Sequence, residues 1–489
     1  MRGGGFIQGV QGPRRPITLR IAIALFWGVV FGGSFAQAFQ VEVNQKKLGL
    51  LPPDLDVQLD LHHANYVRSN TEYFRSSDSK SQLSSVGAAF RWSNEKGARD
   101  SYHVDAGGFY SLAEDQFYPR VPEFYFSREW SDSRLTVGRK DYGWFDAEET
   151  WALGLWQPRF LWDKLRPKRE GVFVTAYEKE FGNNRLVVYA QPFFIPEFGP
   201  GFEESNGVIS SPSPWFVAPP TSAAIFSATE TNIKYNIQMP EIIDIVANPG
   251  GGVFYENRTA QFFFKSGYAY KPIPQLLLGF PLLVKLGSGD SVAELNVDVT
   301  PRVLYHHLVS FETGSRVGRT STWVNVTYES PDRDGSVENS ITQETDEAVI
   351  VSLYGDYKFG SGWLKGGKLY SSFLHVQGGD APDEGEFATE DGFFEDRYWL
   401  TNAVSLGVKD KYVRVLGAPL YLGTRFTYDF DQEAMILSGD IQWLVRRDFA
   451  VNIGGDFLGL LNETDSAEDG FISDFRANDR IYAGVSYVF

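Results

Sequence analysis

Hydrophobic and polar positions alternate with period 2 along the chain beyond residue 54, most plainly in the last four segments. Leu420, Leu422, Phe426 and Tyr428 share one parity, as do Met435, Leu437, Ile441, Trp443 and Val445, then Phe449, Val451, Ile453 and Phe457, and finally Ile481, Ala483, Val485, Tyr487 and Phe489. The other parity carries Arg425, Thr427, Asp429, Ser438, Asp440, Gln442, Asn452, Asp456, Arg480 and Ser486. Successive side chains of an extended strand point to opposite faces, so each segment is predicted to be a strand with one oily and one polar side.

Such strands suit a soluble sandwich or a membrane barrel, and the connections decide between them. Reading back from Phe489, residues 462–478 are long, Arg447-Asp448 is tight, Asp431–Glu433 is brief, Asp410–Gly417 is moderate, 378–397 is long, 360–367 is short and 330–346 is long. Upstream, Lys271-Pro272-Ile273-Pro274, Gly182-Asn183-Asn184 and Ser131-Asp132-Ser133 are assigned to the short side. Residues 67–82, 113–122, 141–170 and 195–227 are assigned to the long side. Tight turns at one end and long loops at the other are the transmembrane-barrel rule, and segments of roughly ten residues match a tilted spanning strand. The expected fold is all-β, an antiparallel up-and-down barrel of about 18 strands, within a range of roughly 16 to 20. The parity closes only if Glu241–Ala247 forms a short strand.

The N-terminal residues read as an export signal. Arg2, Arg14, Arg15 and Arg20 precede an apolar run from Ile21 to Phe35, and Ala36-Gln37-Ala38 supplies a small-x-small cleavage pattern, giving a cleaved peptide over 1–38. The run is shorter than the roughly 20 residues of a spanning helix. Residues 39–54 then form a short periplasmic segment ahead of a barrel over 55–489.

The closing Ile481-x-Ala483-x-Val485-x-Tyr487-x-Phe489, ending on an aromatic residue, resembles the last strand of Gram-negative outer-membrane β-barrels of the porin-like kind; no subfamily motif is matched. That resemblance implies an outer-membrane location, with Tyr487 and Phe489 in the assembly signal read by the barrel insertion machinery. It also implies lipid and lipopolysaccharide as surroundings. Homo-oligomerisation stays open.

Composition narrows the function. No cysteine is present, which removes disulfides, thiolate nucleophiles and cysteine-ligated metals. A net charge of -17 argues against nucleic acid as a partner. Hydrophobic residues make up 43% of the chain, too many for disorder.

The acids crowd into three late outer loops, 330–346, 378–397 and 462–478. Asp380, Asp383, Glu384, Glu386, Glu390 and Asp391 form the densest group. At a pore mouth they attract cations within a screening length of roughly 8 Å, or they are solvated or bridged by divalent ions to lipopolysaccharide. Register against the oily face turns Asp60, Arg91, Asp105, Asp356, Lys358, Arg425, Asp440 and Asp456 toward the lumen. Individually each reads as a partner in a wall-stiffening ion pair; together they indicate a wet interior. No arginine ladder is visible, which disfavours a carrier for one anionic solute. Residues 141–170 bring Trp144, Trp151, Trp156 and Trp162, and 195–227 bring six prolines with Trp215. Each loop either folds inward as a constriction or packs as an outer cap.

Enzyme readings are weak. His62-His63 and His306-His307 are adjacent on strands, so one ring of each pair faces in and the other out, which cannot chelate one ion. Ser205-Asn206-Gly207 resembles part of the nucleophile motif of outer-membrane phospholipases, with Glu203 where that family has histidine. The expectation is a non-enzymatic channel without cofactor or bound metal, passing small hydrophilic solutes with a mild cation preference. The alternative is an occluded barrel that contacts lipopolysaccharide, divalent cations or another cell.

Overall fold

The computed structural model describes residues 55–67, 79–94, 99–225, 229–285, 294–332, 340–362, 365–380, 383–384, 396–461 and 470–489. The proposed signal peptide and residues 39–54 lie outside them.

Eighteen strands form one closed antiparallel sheet. In chain order they are β1 (Leu55–Tyr66), β2 (Gln82–Ser93), β3 (Asp100–Ser111), β4 (Gln116–Glu129), β5 (Ser133–Lys140), β6 (Val172–Phe181), β7 (Asn184–Gln191), β8 (Gly250–Arg258) and β9 (Phe262–Pro272). They continue as β10 (Tyr305–Val317), β11 (Thr320–Pro331), β12 (Ala348–Lys358), β13 (Lys368–Gly378), β14 (Asn402–Val415), β15 (Ala418–Asp429), β16 (Ala434–Arg446), β17 (Phe449–Leu460) and β18 (Arg480–Val488). Each pairs with its chain neighbour, and β18 returns to β1 through Gln58↔Val488 to Tyr66↔Arg480. The amide of Phe489 donates to Val57 O at 2.9 Å, tying the last residue to the first strand. Closure leaves no sheet edge in the wall, which lets such a cylinder sit in hydrocarbon without unpaired backbone groups.

The faces are inverted relative to a soluble domain. Leu61, Val188, Phe311, Val326, Leu353, Ile453 and Ile481 point outward and are each two-fifths or more exposed. The inward parity buries Glu178, Lys265, Glu312, Asn325, Glu329, Ser352, Thr427, Asp456 and Arg480. The predicted inward and outward rings of the histidine pairs follow the same rule. His306 is buried against Glu329 while His307 lies outside with Tyr268.

Several expected connections differ. Residues 113–122 are mostly strand, because β3 and β4 join through a tight turn in which Asp115 takes a φ of 52°. Lys271–Pro274 belongs to the long-loop end; the short turn is Thr259–Gln261, where the Thr259 hydroxyl accepts from the Phe262 amide at 3.0 Å. Glu241–Ala247 is not a strand but contains a helical turn, Ile242–Val246. Pro240 and Pro249 bracket it and limit ladder hydrogen bonding, so the segment closes on itself through Asp244 N to Glu241 O and Ala247 N to Ile243 O. The moderate connection at Asp410–Gly417 shrinks to Leu416-Gly417, as β14 runs through an irregularity between Val408 and Lys411.

Outside the barrel, at its long-loop end, six short segments make a second sheet in the order Ser222–Ile225, Thr229–Ile237, Glu294–Arg302, Leu277–Lys285, Ser340–Gln343 and Asp383–Glu384. Its core gathers Ile209, Ile233, Tyr235, Leu295, Val297 and Val299.

Candidate conduction pathway

The long connection between β5 and β6 folds into the barrel. Four of its aromatic or aliphatic groups, Trp144, Phe145, Leu155 and Trp156, are essentially buried against inward residues of the wall such as Val174, Tyr189, Phe254 and Leu308. Indole and helix groups then find polar partners on the strands. Trp156 Nε1 donates to Ser310 Oγ and Trp151 Nε1 to Ser352 Oγ, both at 2.9 Å. The turn Asp146–Trp151, α1, opens with the amides of Asp146 and Ala147 donating to Glu312, each at 3.1 Å. Lys265 Nζ bridges Asp146 at 2.9 Å and Glu312 at 2.8 Å.

The far side of the same segment reaches the opposite wall. Arg166 lies between Asp440 on β16, at 2.9 Å, and Asp456 on β17, at 3.0 Å. Arg480 on β18 binds Asp456 and Asp163, each at 2.8 Å. The segment therefore spans the lumen, pinned from β9–β12 on one side to β16–β18 on the other. Trp215 of the 195–227 loop joins this second anchorage, donating to the Tyr66 hydroxyl at 3.0 Å and packing with Phe471, Ile472 and Phe475.

Two chambers lie along the partitioned lumen. The larger, about 490 Å³, is lined by Asp146, Glu149, Trp323, Tyr354, Asp356, Lys368, Lys409 and Arg425, among others, toward the short-turn end. The smaller, about 80 Å³, lies toward the long-loop end and is lined by Trp151, Arg159, Lys164, Arg397, Trp399 and Arg425 with apolar Leu153, Leu374, Leu400 and Ile436. Arg425 lines both, and its guanidinium carbon lies 5.6 Å from the Trp151 ring centroid, so this pair stands where the two chambers adjoin. The smaller chamber has four cationic side chains in its lining and no carboxylate. In the larger one each acid is engaged: Asp146 by Lys265, Glu149 by Arg169 at 3.5 Å, and Asp356 by the Tyr354 hydroxyl at 3.1 Å. Three lysines stand in register on adjacent strands toward the short-turn end, Lys358 opposite Lys368 and Lys368 opposite Lys409, and Lys409 lies over the rings of Tyr354 at 4.8 Å and Tyr370 at 5.2 Å.

The residues expected in the lumen all lie on the inward parity, in different settings. Arg91 and Asp105 pair across β2 and β3 at 3.1 Å, and Asp60 accepts from Gln58 at 2.8 Å. Asp356 and Arg425 line the larger chamber, and Lys358 follows Asp356 on the same strand face. Asp456 forms the expected wall ion pair with Arg480, directly opposite on β18, and together with Asp440 also holds a loop residue, Arg166. Of the acidic-loop group, Asp380 accepts the Asp346 amide through its carbonyl at 3.2 Å. Asp383 and Glu384 form a short strand, and Glu386, Glu390 and Asp391 lie outside the described residues. Ser205 sits in a hairpin, Glu203–Ser205 with Val208–Ser210, turned by Asn206 at φ 54° and Gly207 at φ 84°. Arg159, Lys164 and Arg397 carry no period-2 signal, because loops deliver them to the lumen; the tryptophan density of 141–170 was the only hint.

No family model matches the chain, and no curated protein does. Solved structures resemble it in fold. In-vitro folded OmpT, an outer membrane protein of Vibrio cholerae, is 7% identical, with 89% of this chain and 97% of that one covered and a TM-score of 0.37. OmpF of Salmonella typhi, in complex with daunomycin, is 11% identical over 89% and 97%, at 0.37. A mutant porin of Rh. blastica is 9% identical over 89% and 99%, at 0.35. The likeness is one of fold alone. The chain's own closed 18-strand cylinder, oily outside and polar within, is the architecture of a porin-like outer-membrane β-barrel.

Proposed function

We propose that this protein is an outer-membrane channel through which small hydrophilic solutes diffuse passively. The observation that carries the reading is the inverted wall enclosing two chambers, the larger lined mostly by polar and charged residues, that share Arg425, taken as the neck. A barrel of this width cannot fill its centre with wall side chains. Here an inward loop narrows it and sets the size limit.

Charge preference follows the neck rather than the mouth. The acidic outer loops concentrate cations only within a screening length of roughly 8 Å. Arg159 and Arg397 are offset by Glu197 at 2.6 Å and Glu329 at 3.4 Å, whereas Arg425, which both chambers share, bonds the neutral Ser405 and Thr427, so permeant anions are favoured over the mild cation preference read from the loops. Tyr487 and Phe489 serve as the assembly signal, and lipopolysaccharide surrounds the outer rim.

Planar-bilayer reconstitution tests this. Stepwise ohmic conductance with an anion-selective reversal potential in a salt gradient is expected. Cation-selective steps would return control to the acidic mouth. Insertion without conductance would favour the second reading, an occluded barrel with a surface-contact role, which the lumen-spanning 141–171 segment keeps in view.

A further inference from the structure

The oily outer surface does not stop where the strands end. Just ahead of β8 the chain forms the helical turn Ile242–Val246, flanked by Pro240 and Pro249. Its second half is tied down. The Phe194 amide donates to Val246 O at 3.0 Å, and the Asn248 side chain donates to Asp244 O at 2.6 Å and Ile245 O at 3.0 Å. Asn248 Oδ1 accepts from the Tyr305 hydroxyl at 3.5 Å. Tyr305 stands on the outward parity of β10, where its ring stacks on Tyr270 at 5.2 Å, and Tyr270 lies 4.6 Å from His307. Beside the turn, Phe193 packs edge-on against Phe173, on the outward parity of β6, at 5.9 Å. The turn is thus seated on the outside of the wall at the long-loop rim, next to a patch of outward tyrosines. Such aromatic residues mark the level where hydrocarbon meets headgroups. The unattached side of the turn is apolar: Met239, Ile242 and Ile243 are 63%, 80% and 60% exposed. Glu241 and Asp244 are exposed on the same turn, which suits a boundary layer and not the hydrocarbon interior.

We infer that Met239, Ile242 and Ile243 form an interfacial anchor that dips into the outer leaflet, extending the lipid-facing wall of β6–β10 past the strand ends. Contiguous exposed apolar side chains mark an interaction surface. Lipid is the occupant because the turn continues a surface that already faces lipid, through Phe193 on one flank and Tyr305 on the other. The anchor rests on the inverted wall and is independent of conduction.

Because the chain has no native cysteine, a single nitroxide label can be placed in the full barrel reconstituted into phosphatidylcholine vesicles. Collision of the label with oxygen, which concentrates in lipid, and with a water-soluble nickel chelate reads its surroundings. Val188→Cys on the wall and Ser205→Cys in the outer hairpin supply the lipid and water references. At Ile243→Cys, and independently at Met239→Cys, the oxygen-to-chelate collision ratio is expected to lie severalfold above that at position 205 and below that at position 188, as shallow insertion requires. Ratios at 239 and 243 equal to that at 205 would overturn the anchor, since the turn would then stand in water. A label immobilised and screened from both reagents would overturn it as well, because a protein partner such as a second copy would then cover the turn. Free access of the chelate to position 188 would sink the inverted wall and the anchor with it, whereas failure at 239 and 243 alone leaves the wall standing.

Discussion

Two side chains of α1, Trp151 and Glu148, hold the inward segment in different ways. Trp151 is held by its bond to Ser352 and presents its ring to Arg425 at the only residue shared by the two described chambers. Trp151→Ala removes the ring and should raise single-channel conductance by roughly twofold with the sign of selectivity kept; unchanged conductance would place the neck elsewhere. Glu148 in α1 has a different role. One oxygen accepts the Leu155 amide at 2.8 Å, and burial of the side chain pushes its carboxyl above the usual carboxylate range. A raised folded-state pKa means the docked segment is favoured in acid and loses that advantage as pH rises through the shifted value. Glu148→Gln keeps an acceptor for Leu155 without burying charge. It should raise the melting temperature by about 2–4 °C at pH 7, a shift that vanishes near pH 4. An equal shift at both pH values would contradict the cause given.

At the scale of elements, the wall and the inward segment are separable. Every barrel strand is hydrogen-bonded on both sides by other strands, so replacing residues 144–165 with a short Gly-Ser link should leave a folded barrel by circular dichroism. Conductance should rise severalfold. A barrel that fails to assemble would show instead that the segment nucleates it. The wall was legible in the sequence because period 2 is set by backbone geometry: Asp440, Asp456 and Arg425 could face only inward once Leu437, Phe457 and Phe426 faced out. The destination of the segment was not legible, since Trp144 and Trp156 require apolar contact without specifying whether the inner wall or an outer cap supplies it. The hairpin of Leu277–Lys285 and Glu294–Arg302 carries strand-like sequence, but its partners lie in the outer sheet, and periodicity cannot say which sheet a strand joins. Arg397 became visible only when the fold placed it beside Glu329.

For the whole molecule, function rests on which face is wet. An outward surface of Leu61, Val188, Phe311 and Leu353 around the cylinder demands hydrocarbon or detergent, while the inner surface demands water. The absence of native cysteine makes this directly measurable. Ser321 and Val326 lie on the same strand, β11, on opposite parities: Ser321 lines the larger chamber and Val326 points outward. Labelling Ser321→Cys and Val326→Cys in lipid vesicles with a charged, bilayer-impermeant thiol reagent reads the two faces in one experiment. Rapid reaction at position 321 and none at 326 is the predicted result. Reaction at 326 with protection at 321 would contradict the inverted barrel on which every functional statement depends.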